Sequence, residues 1–247
     1  MTLNSKKEEY LIYKLADNMK NCIKIDADLF RKLDVKRGLR NEDGTGVLVG
    51  LTNIGNVVGY ERTENGLKPI EGKLYFRGYE ISDLVHAVLN EQRFGFEEIA
   101  YLLLSGGLPD AEELEQFRHL LVGNMPLMSK TMLNIVELEG TDIMNILARS
   151  VLELYTYDNT PDDISRENLM RQSVELISKF PTIIAYAYNM LRHKTFGRSL
   201  HIRHPKENFS LAENFLYMLL GNNYTPLDAR TLDLLLILQA EHGGGNN

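Results

Sequence analysis

Apolar residues recur at intervals of three and four positions along most of the chain, with polar residues between them. This spacing places the apolar side chains on one face of an α-helix. It returns in segment after segment, from about residue 80 to about residue 240. The pattern therefore predicts an all-α protein in which amphipathic helices bury their apolar faces against one another.

Helix ends are marked by capping residues. In a capping box, an N-cap side chain and an acidic side chain three positions later bond each other's backbone N–H groups. A glycine after the apolar run can adopt the left-handed conformation that ends a helix, and a proline suits the first helical position. Helices are predicted to start at Asp110 with Glu113, at Ser210 with Glu213, and at Thr225 with Pro226. The first two are predicted to stop at Gly123 and Gly221, and a further helix, Glu97–Leu104, at Gly106.

Pro181 lies inside a long amphipathic stretch. Because proline lacks a backbone N–H and its ring clashes with the carbonyl four residues earlier, it usually ends a helix. We therefore predict one helix from about Ser165 to Lys179 and a second from Pro181 to about Lys194. The polar, proline-containing segment Thr156–Ile164 before them is predicted to be a surface loop.

One region has a different pattern. Between residues 44 and 76 the chain is rich in glycine and β-branched residues, which favours short strands. The predicted strands are Val47–Leu51, Asn56–Tyr60 and Lys73–Phe76, with turns at Asn53–Gly55 and Asn65–Gly66. We expect a small sheet beside a mostly helical fold.

Composition narrows the classes of function. The 247 residues carry a formal net charge of -7, which disfavours nucleic-acid binding because affinity for phosphate backbones comes from Lys and Arg. The basic stretch Lys36, Arg37 and Arg40 is short, so it is interpreted as a solvated surface or a substrate-phosphate contact. The longest apolar run, Leu234–Leu238, is too short to span a membrane.

The single cysteine, Cys22, cannot form a disulfide framework, which favours a reducing compartment. Without a neighbouring base, Cys22 is interpreted as a structural residue. The first ten residues are polar and charged, unlike a signal peptide. A cytoplasmic protein is expected.

The six histidines show no pair at helical i, i+4 spacing with a carboxylate, so no metal site is predicted. His86 and His119 are expected on helix surfaces. His201 and His204 lie in a polar loop, which is either simply solvated or able to meet a metal or an anion. His242 follows an apolar helix and precedes the glycine loop Gly243–Asn247. Backbone N–H groups in such a loop are exposed, so a ligand can approach closely. The alternative is that His242 and the glycines only cap the helix.

Several segments, in order along the chain, resemble citrate synthases, most closely the bacterial form. The first combines Gly38–Leu39–Arg40 with the predicted sheet and a Leu–Tyr–Phe–Arg–Gly–Tyr element. The second is a Phe–Glu–Glu helix followed by Gly–Leu–Pro, and the third pairs an Asn–Phe–Leu–Tyr–Met–Leu helix with a Gln–Ala–Glu–His–Gly–Gly–Gly–Asn loop. The segments are Gly72–Ile81, Phe96–Leu104 with Gly107–Pro109, Glu213–Leu219, and Gln239–Asn246.

The resemblance implies a multi-helical large domain, a homodimer, and condensation of acetyl-CoA with oxaloacetate to give citrate and CoA. No metal or cofactor is required, because the CoA thioester is a substrate. His242 falls on the family's first active-site histidine, which contacts oxaloacetate. Asn246 falls on an asparagine that helps to shape the same loop. The chemistry needs a base and donors aimed at the developing enolate oxygen.

The remaining elements of the family pattern do not occur in this sequence. The enol-stabilising histidine, the catalytic aspartate and the carboxylate-binding arginines are expected downstream of Asn247, as is the small domain. The 247 residues are therefore expected to be the N-terminal portion of the large domain and to be inactive by themselves. The alternatives are a 2-methylcitrate synthase that uses propionyl-CoA and a non-catalytic helical paralogue. Apolar surface on the last helix predicts self-association.

Overall fold

The computed structural model describes residues 52–63, 66–138 and 140–241, together with the single residues Asp28, Lys32, Gly38 and Arg40. The three longer ranges belong to one unit of the chain, Thr52–Asn247. The predicted strand Val47–Leu51 and the cysteine Cys22 lie outside the described residues.

A three-stranded antiparallel sheet opens this unit, in the order β1 (Gly55–Thr63), β2 (Gly66–Phe76) and β3 (Tyr79–Glu80). The predicted strands Asn56–Tyr60 and Lys73–Phe76 are confirmed, but β2 is much longer than predicted. Strand β2 contains Pro69, which pairs with Tyr60 of β1. Strand β3 reaches only the last two residues of β2, so no described strand pairs with the second side of Pro69, where a missing N–H is tolerated.

Eight helices follow, so the predicted all-α class with a small sheet is confirmed for the described part of the chain. None of these helices is long and apolar enough to cross a membrane. Their bounds are α1 Ile81–Asn90, α2 Phe96–Ser105, α3 Ala111–Asn124, α4 Ser129–Glu137, α5 Ile143–Tyr157, α6 Arg166–Phe196, α7 Leu211–Leu220 and α8 Pro226–Leu238.

The helix starts predicted at Asp110, Ser210 and Thr225 are confirmed. Asp110, Ser210 and Thr225 each form a complete capping box with the acidic residue three positions later. Gly106 and Gly221 end their helices with positive φ angles of 92° and 68°. The predicted stop at Gly123 is wrong, because α3 continues to Asn124. A fully buried methionine follows the helix there, so the chain enters the core without a left-handed turn.

The predicted break at Pro181 is also wrong. Helix α6 is continuous over 31 residues, with Pro181 inside it. The helix packs against α3, α4, α5 and α7, and Ile183 and Tyr186 next to the proline are almost fully buried. Packing on both sides of the proline offsets the usual cost of about 3 kcal/mol for an interior proline.

The loop before α6 is shorter than predicted, because α5 extends to Tyr157. It begins at Asp158, whose carboxylate accepts hydrogen bonds from Arg171 and Gln172 of α6. These bonds hold the pKa of Asp158 well below its ordinary value, chiefly through the Arg171 guanidinium.

Buried side chains of the described residues form three clusters, of which two are the larger. One surrounds α6 and contains Ile135, Ile146, Ile183, Tyr186 and Met218. The other joins the sheet to α1, α2 and α8 and contains Phe76, Leu84, Val88, Ile99, Leu102 and Ile237. The second cluster fixes α8, the helix that leads toward His242.

Candidate substrate-binding site at the end of helix α8

Helix α8 carries the chain to the predicted site. Its capping box at Thr225 and Asp228 sets the start, and Ile237 near its end is completely buried. The backbone N–H of Gln239 still bonds to the carbonyl of Leu235, so the last turn is intact. The description ends at Glu241. His242 and Asn246 lie outside the described residues, and their roles stay predictions.

Asp233 anchors α8 to the start of α2. Its side chain is 1% exposed and accepts hydrogen bonds from the backbone N–H groups of Gly95, at 2.8 Å, and Phe96, at 3.1 Å. These N–H groups lie at the N-terminus of α2, where a helix has unpaired donors and a partial positive charge. One carboxylate from α8 therefore caps a helix more than 130 residues earlier in the chain.

Gly95 allows this approach. A Cβ atom at position 95 would lie 2.3 Å from Val88 Cγ2 and 3.1 Å from Ile237 Cδ1. Both neighbours are branched side chains buried in the core. The backbone of residue 95 can therefore reach Asp233 only because residue 95 has no side chain.

A second buried carboxylate, that of Glu97, joins α2 to α7. Glu97 of α2 is 2% exposed, and its Oε1 accepts a hydrogen bond of 2.7 Å from the backbone N–H of Leu211, the first residue of α7. Its other oxygen, Oε2, is buried and has no hydrogen-bond partner among the described residues. We call Glu97 and Asp233 with their backbone donors the carboxylate junction, because together they tie α2 to both α7 and α8.

Burial gives Asp233 an unusual pKa. Desolvation raises the pKa of this carboxyl from its ordinary 3.8 to about 6. The hydrogen bond from Gly95 opposes the shift, and the charge of Glu97 adds to it. A raised pKa of this size is common at functional sites, but here both oxygens bond to backbone groups. We therefore interpret Asp233 as a positioning residue for α8.

Sequence reasoning assigned no role to either carboxylate. For Asp233 a signal was present, because it is the only charged residue within the apolar run Leu232–Leu238. A charged side chain on a helix that is otherwise apolar predicts a buried partner. For Glu97 no comparable signal exists, since an acidic residue in the first turn of a helix is usually exposed and favoured by the helix dipole.

Four other histidines lie where the sequence predicts them. His86 and His119 are exposed on α1 and α3. His201 and His204 are both exposed in the loop after α6, and His201 lines a cavity. Within the described ranges, no three His, Cys, Asp or Glu side chains are placed to hold a metal ion.

An apolar groove of about 380 Å³ lies between α6, α7 and α8. It is lined almost entirely by carbon, with Phe180 and Ile184 on one side and Phe215 and Leu236 on the other. On α8, Leu235 and Leu238 are 49% and 46% exposed. Part of the apolar surface predicted on the last helix is therefore uncovered by the described residues.

Fold and sequence both place this chain among known enzymes of one family. A family model described as "Citrate synthase, C-terminal domain" matches residues 42–247. The chain belongs to the citrate synthase family. It is 34% identical over 178 residues to a citrate synthase of Deinococcus radiodurans, covering 70% of this chain and 46% of that protein. It is 30% identical over 175 residues to citrate synthase 2 of Bacillus subtilis, covering 70% and 44%.

The fold comparison agrees. The crystal structure of citrate synthase from Pyrobaculum aerophilum superposes with a TM-score of 0.65 at 27% identity, covering 84% of this chain and 50% of that one. The enzyme from Thermotoga maritima gives a TM-score of 0.62 at 26% identity, covering 86% and 48%. The chain thus spans about half the length of the relatives it matches.

Proposed function

We propose that this chain provides the N-terminal portion of the large domain of a citrate synthase, which condenses acetyl-CoA with oxaloacetate to give citrate and CoA. In this proposal His242 donates a hydrogen bond to oxaloacetate, and Asn246 shapes the glycine loop around it. The observation that carries the proposal is the family match over residues 42–247, which includes that loop.

The carboxylate junction supports the proposed role of His242. A hydrogen-bond donor for oxaloacetate must be held within a fraction of an ångström of its productive position. Asp233 and Ile237 fix α8 from two sides only a few residues before the histidine. The chain therefore approaches the glycine loop from a rigid element.

We further propose that the 247 residues are inactive alone. The catalytic aspartate and the enol-stabilising histidine implied by the resemblance are absent from them, and they span about half of each relative. The apolar groove beside α8 is consistent with this view, since such a surface is normally covered by protein. Homodimer formation and a cytoplasmic location remain predictions.

A chimera tests the proposal. This chain would be joined to the downstream part of the Deinococcus radiodurans relative that the match leaves uncovered, and CoA release would be measured with oxaloacetate. We expect release by the chimera and none by the isolated chain. The substitution His242→Gln should lower kcat/KM of the chimera about 100-fold, the typical cost of losing one positioned donor.

A control variant and a comparison of substrates separate the possible outcomes of this assay. His204→Gln changes an exposed loop histidine and should leave the rate unchanged. The acyl-CoA preference needs an intact version of the protein rather than the chimera, because most of the acyl pocket is expected downstream of Asn247. Comparing acetyl-CoA with propionyl-CoA on that intact version separates citrate synthase from 2-methylcitrate synthase. Enzyme-like turnover by the isolated chain would contradict the proposed inactivity. A folded chimera that is inactive with both thioesters would favour a non-catalytic paralogue.

A further inference from the structure

A cavity of about 440 Å³ lies at the opposite end of α7 from the carboxylate junction. Its wall comes from the end of α6, the loop after it and the end of α7. We call it the arginine cavity, because Arg192, Arg198 and Arg203 line it together with His201 and Asn223.

Hydrogen bonds hold this wall in place. The Asn189 amide donates to the carbonyls of His201, at 3.2 Å, and Met218, at 3.1 Å. The hydroxyl of Tyr186 donates to the carbonyl of Arg203, at 3.2 Å. The loop that carries His201 and Arg203 is thus fastened to α6, and its side chains project from a fixed backbone.

One of the three arginines has a structural task. The Arg203 guanidinium donates to the carbonyl of Met218, at 3.3 Å, near the end of α7. It also lies against Gly221, where a Cβ atom would be 3.0 Å from its Nε. Arg203 and Asn189 therefore both donate to a carbonyl in the last turn of α7, where a helix lacks backbone donors.

Arg192 and Arg198 have no comparable structural role among the described residues. Among the described residues, the Arg192 side chain makes only a cation–π contact with Tyr188, at 5.7 Å. The Arg198 side chain has neither a hydrogen bond nor an ion pair with any residue that the structure describes. No carboxylate of the described residues lines the cavity, although acidic residues outnumber basic ones by 34 to 27 in the chain.

Grouping cations in this way is unfavourable without a counter-charge, because like charges close together repel. Guanidinium groups present forked donors that match phosphate oxygens. The volume lies within the range of small-molecule sites. We propose that the arginine cavity binds a compact small-molecule polyanion of the polyphosphate class, held by Arg192, Arg198 and Arg203.

Binding of inorganic pyrophosphate to the 247-residue chain tests this proposal. Isothermal titration at low salt should show one saturable site. Arg192→Gln and Arg198→Gln should each weaken binding by about tenfold or more, since a charge-assisted hydrogen bond contributes about 1.5–3 kcal/mol. Raising the salt concentration should weaken it further. The binding assay does not depend on the proposed catalytic function.

Arg166→Gln is the matched control, because Arg166 is exposed at the other end of the same helix. It should change the affinity less than twofold. Equal losses in all three variants, or no saturable binding by the original chain, would overturn the site. Circular dichroism identifies any variant that fails to fold.

Two further measurements refine the class of ligand. Arg192→Lys and Arg198→Lys keep the positive charge but lose the paired N–H donors of the guanidinium group. Each variant should therefore bind pyrophosphate more weakly than the original chain and more tightly than the corresponding Gln variant. Tricarballylate, a tricarboxylate, should bind more weakly than pyrophosphate. If it binds as tightly, the polyphosphate assignment is wrong.

Discussion

The two ends of helix α7 use charged residues in opposite ways. At its N-terminus, Glu97 of the carboxylate junction accepts the backbone N–H of Leu211, and the junction places its carboxylates where helix N-termini need acceptors. At its C-terminus, three arginines line the arginine cavity, and of these three only Arg203 donates to a carbonyl of a described residue. Charged side chains that bond to backbone groups of the fold indicate a structural role. Charged side chains without such partners among the described residues favour a bound ligand.

The largest expected effect is at the carboxylate junction. Asp233→Ala removes the acceptor of two backbone N–H groups at the start of α2. We expect the free energy of unfolding at pH 7 to fall by about 3 kcal/mol, because buried donors would lose their partners. Asp233→Asn keeps one acceptor oxygen and should lose less. Urea denaturation measures both, and a loss below about 1 kcal/mol for the alanine variant would argue against a structural role.

The junction also makes stability depend on pH. The pKa of Asp233 is about 6 in the folded chain and 3.8 as its ordinary value. As pH rises from 4 to 6, the unfolded state loses its proton first, so this group's contribution to stability falls. The shift corresponds to at most about 3 kcal/mol.

The measurement is the difference in unfolding free energy between the original chain and Asp233→Asn at pH 4, 5, 6 and 7. Other titrating groups largely cancel in this difference. The advantage of the original chain should be greatest at pH 4. A difference that is constant over the whole range would show that Asp233 does not titrate in this window.

The smallest expected effect is at the arginine cavity. Without ligand, Arg198→Gln should change the free energy of unfolding by less than about 0.5 kcal/mol, because its side chain has no described partner to lose. Arg203→Gln should cost about 1 kcal/mol through its bond to Met218. Urea denaturation of both variants sharpens the contrast. Equal costs would mean that Arg198 has a structural task too.

Much of the fold followed from the sequence, and the exceptions have physical causes. The helical class, the hairpin strands and the starts of α3, α7 and α8 were predicted correctly. Pro181 was misjudged because its helix is held by neighbours on both sides. The candidate site was predicted only through His242 and Asn246, which lie outside the described residues. The carboxylates that position α8 were not predicted.

Capping boxes could be predicted from sequence because both partners lie within three residues on the same turn. The bond from Gly95 to Asp233 joins residues 138 positions apart, and that from Leu211 to Glu97 joins residues 114 apart. The arginine cavity likewise assembles side chains from two helices and a loop. Hydrogen bonds between residues that are close in sequence can be predicted from the sequence alone. Buried charges and cavities depend on which distant segments the packed core brings together.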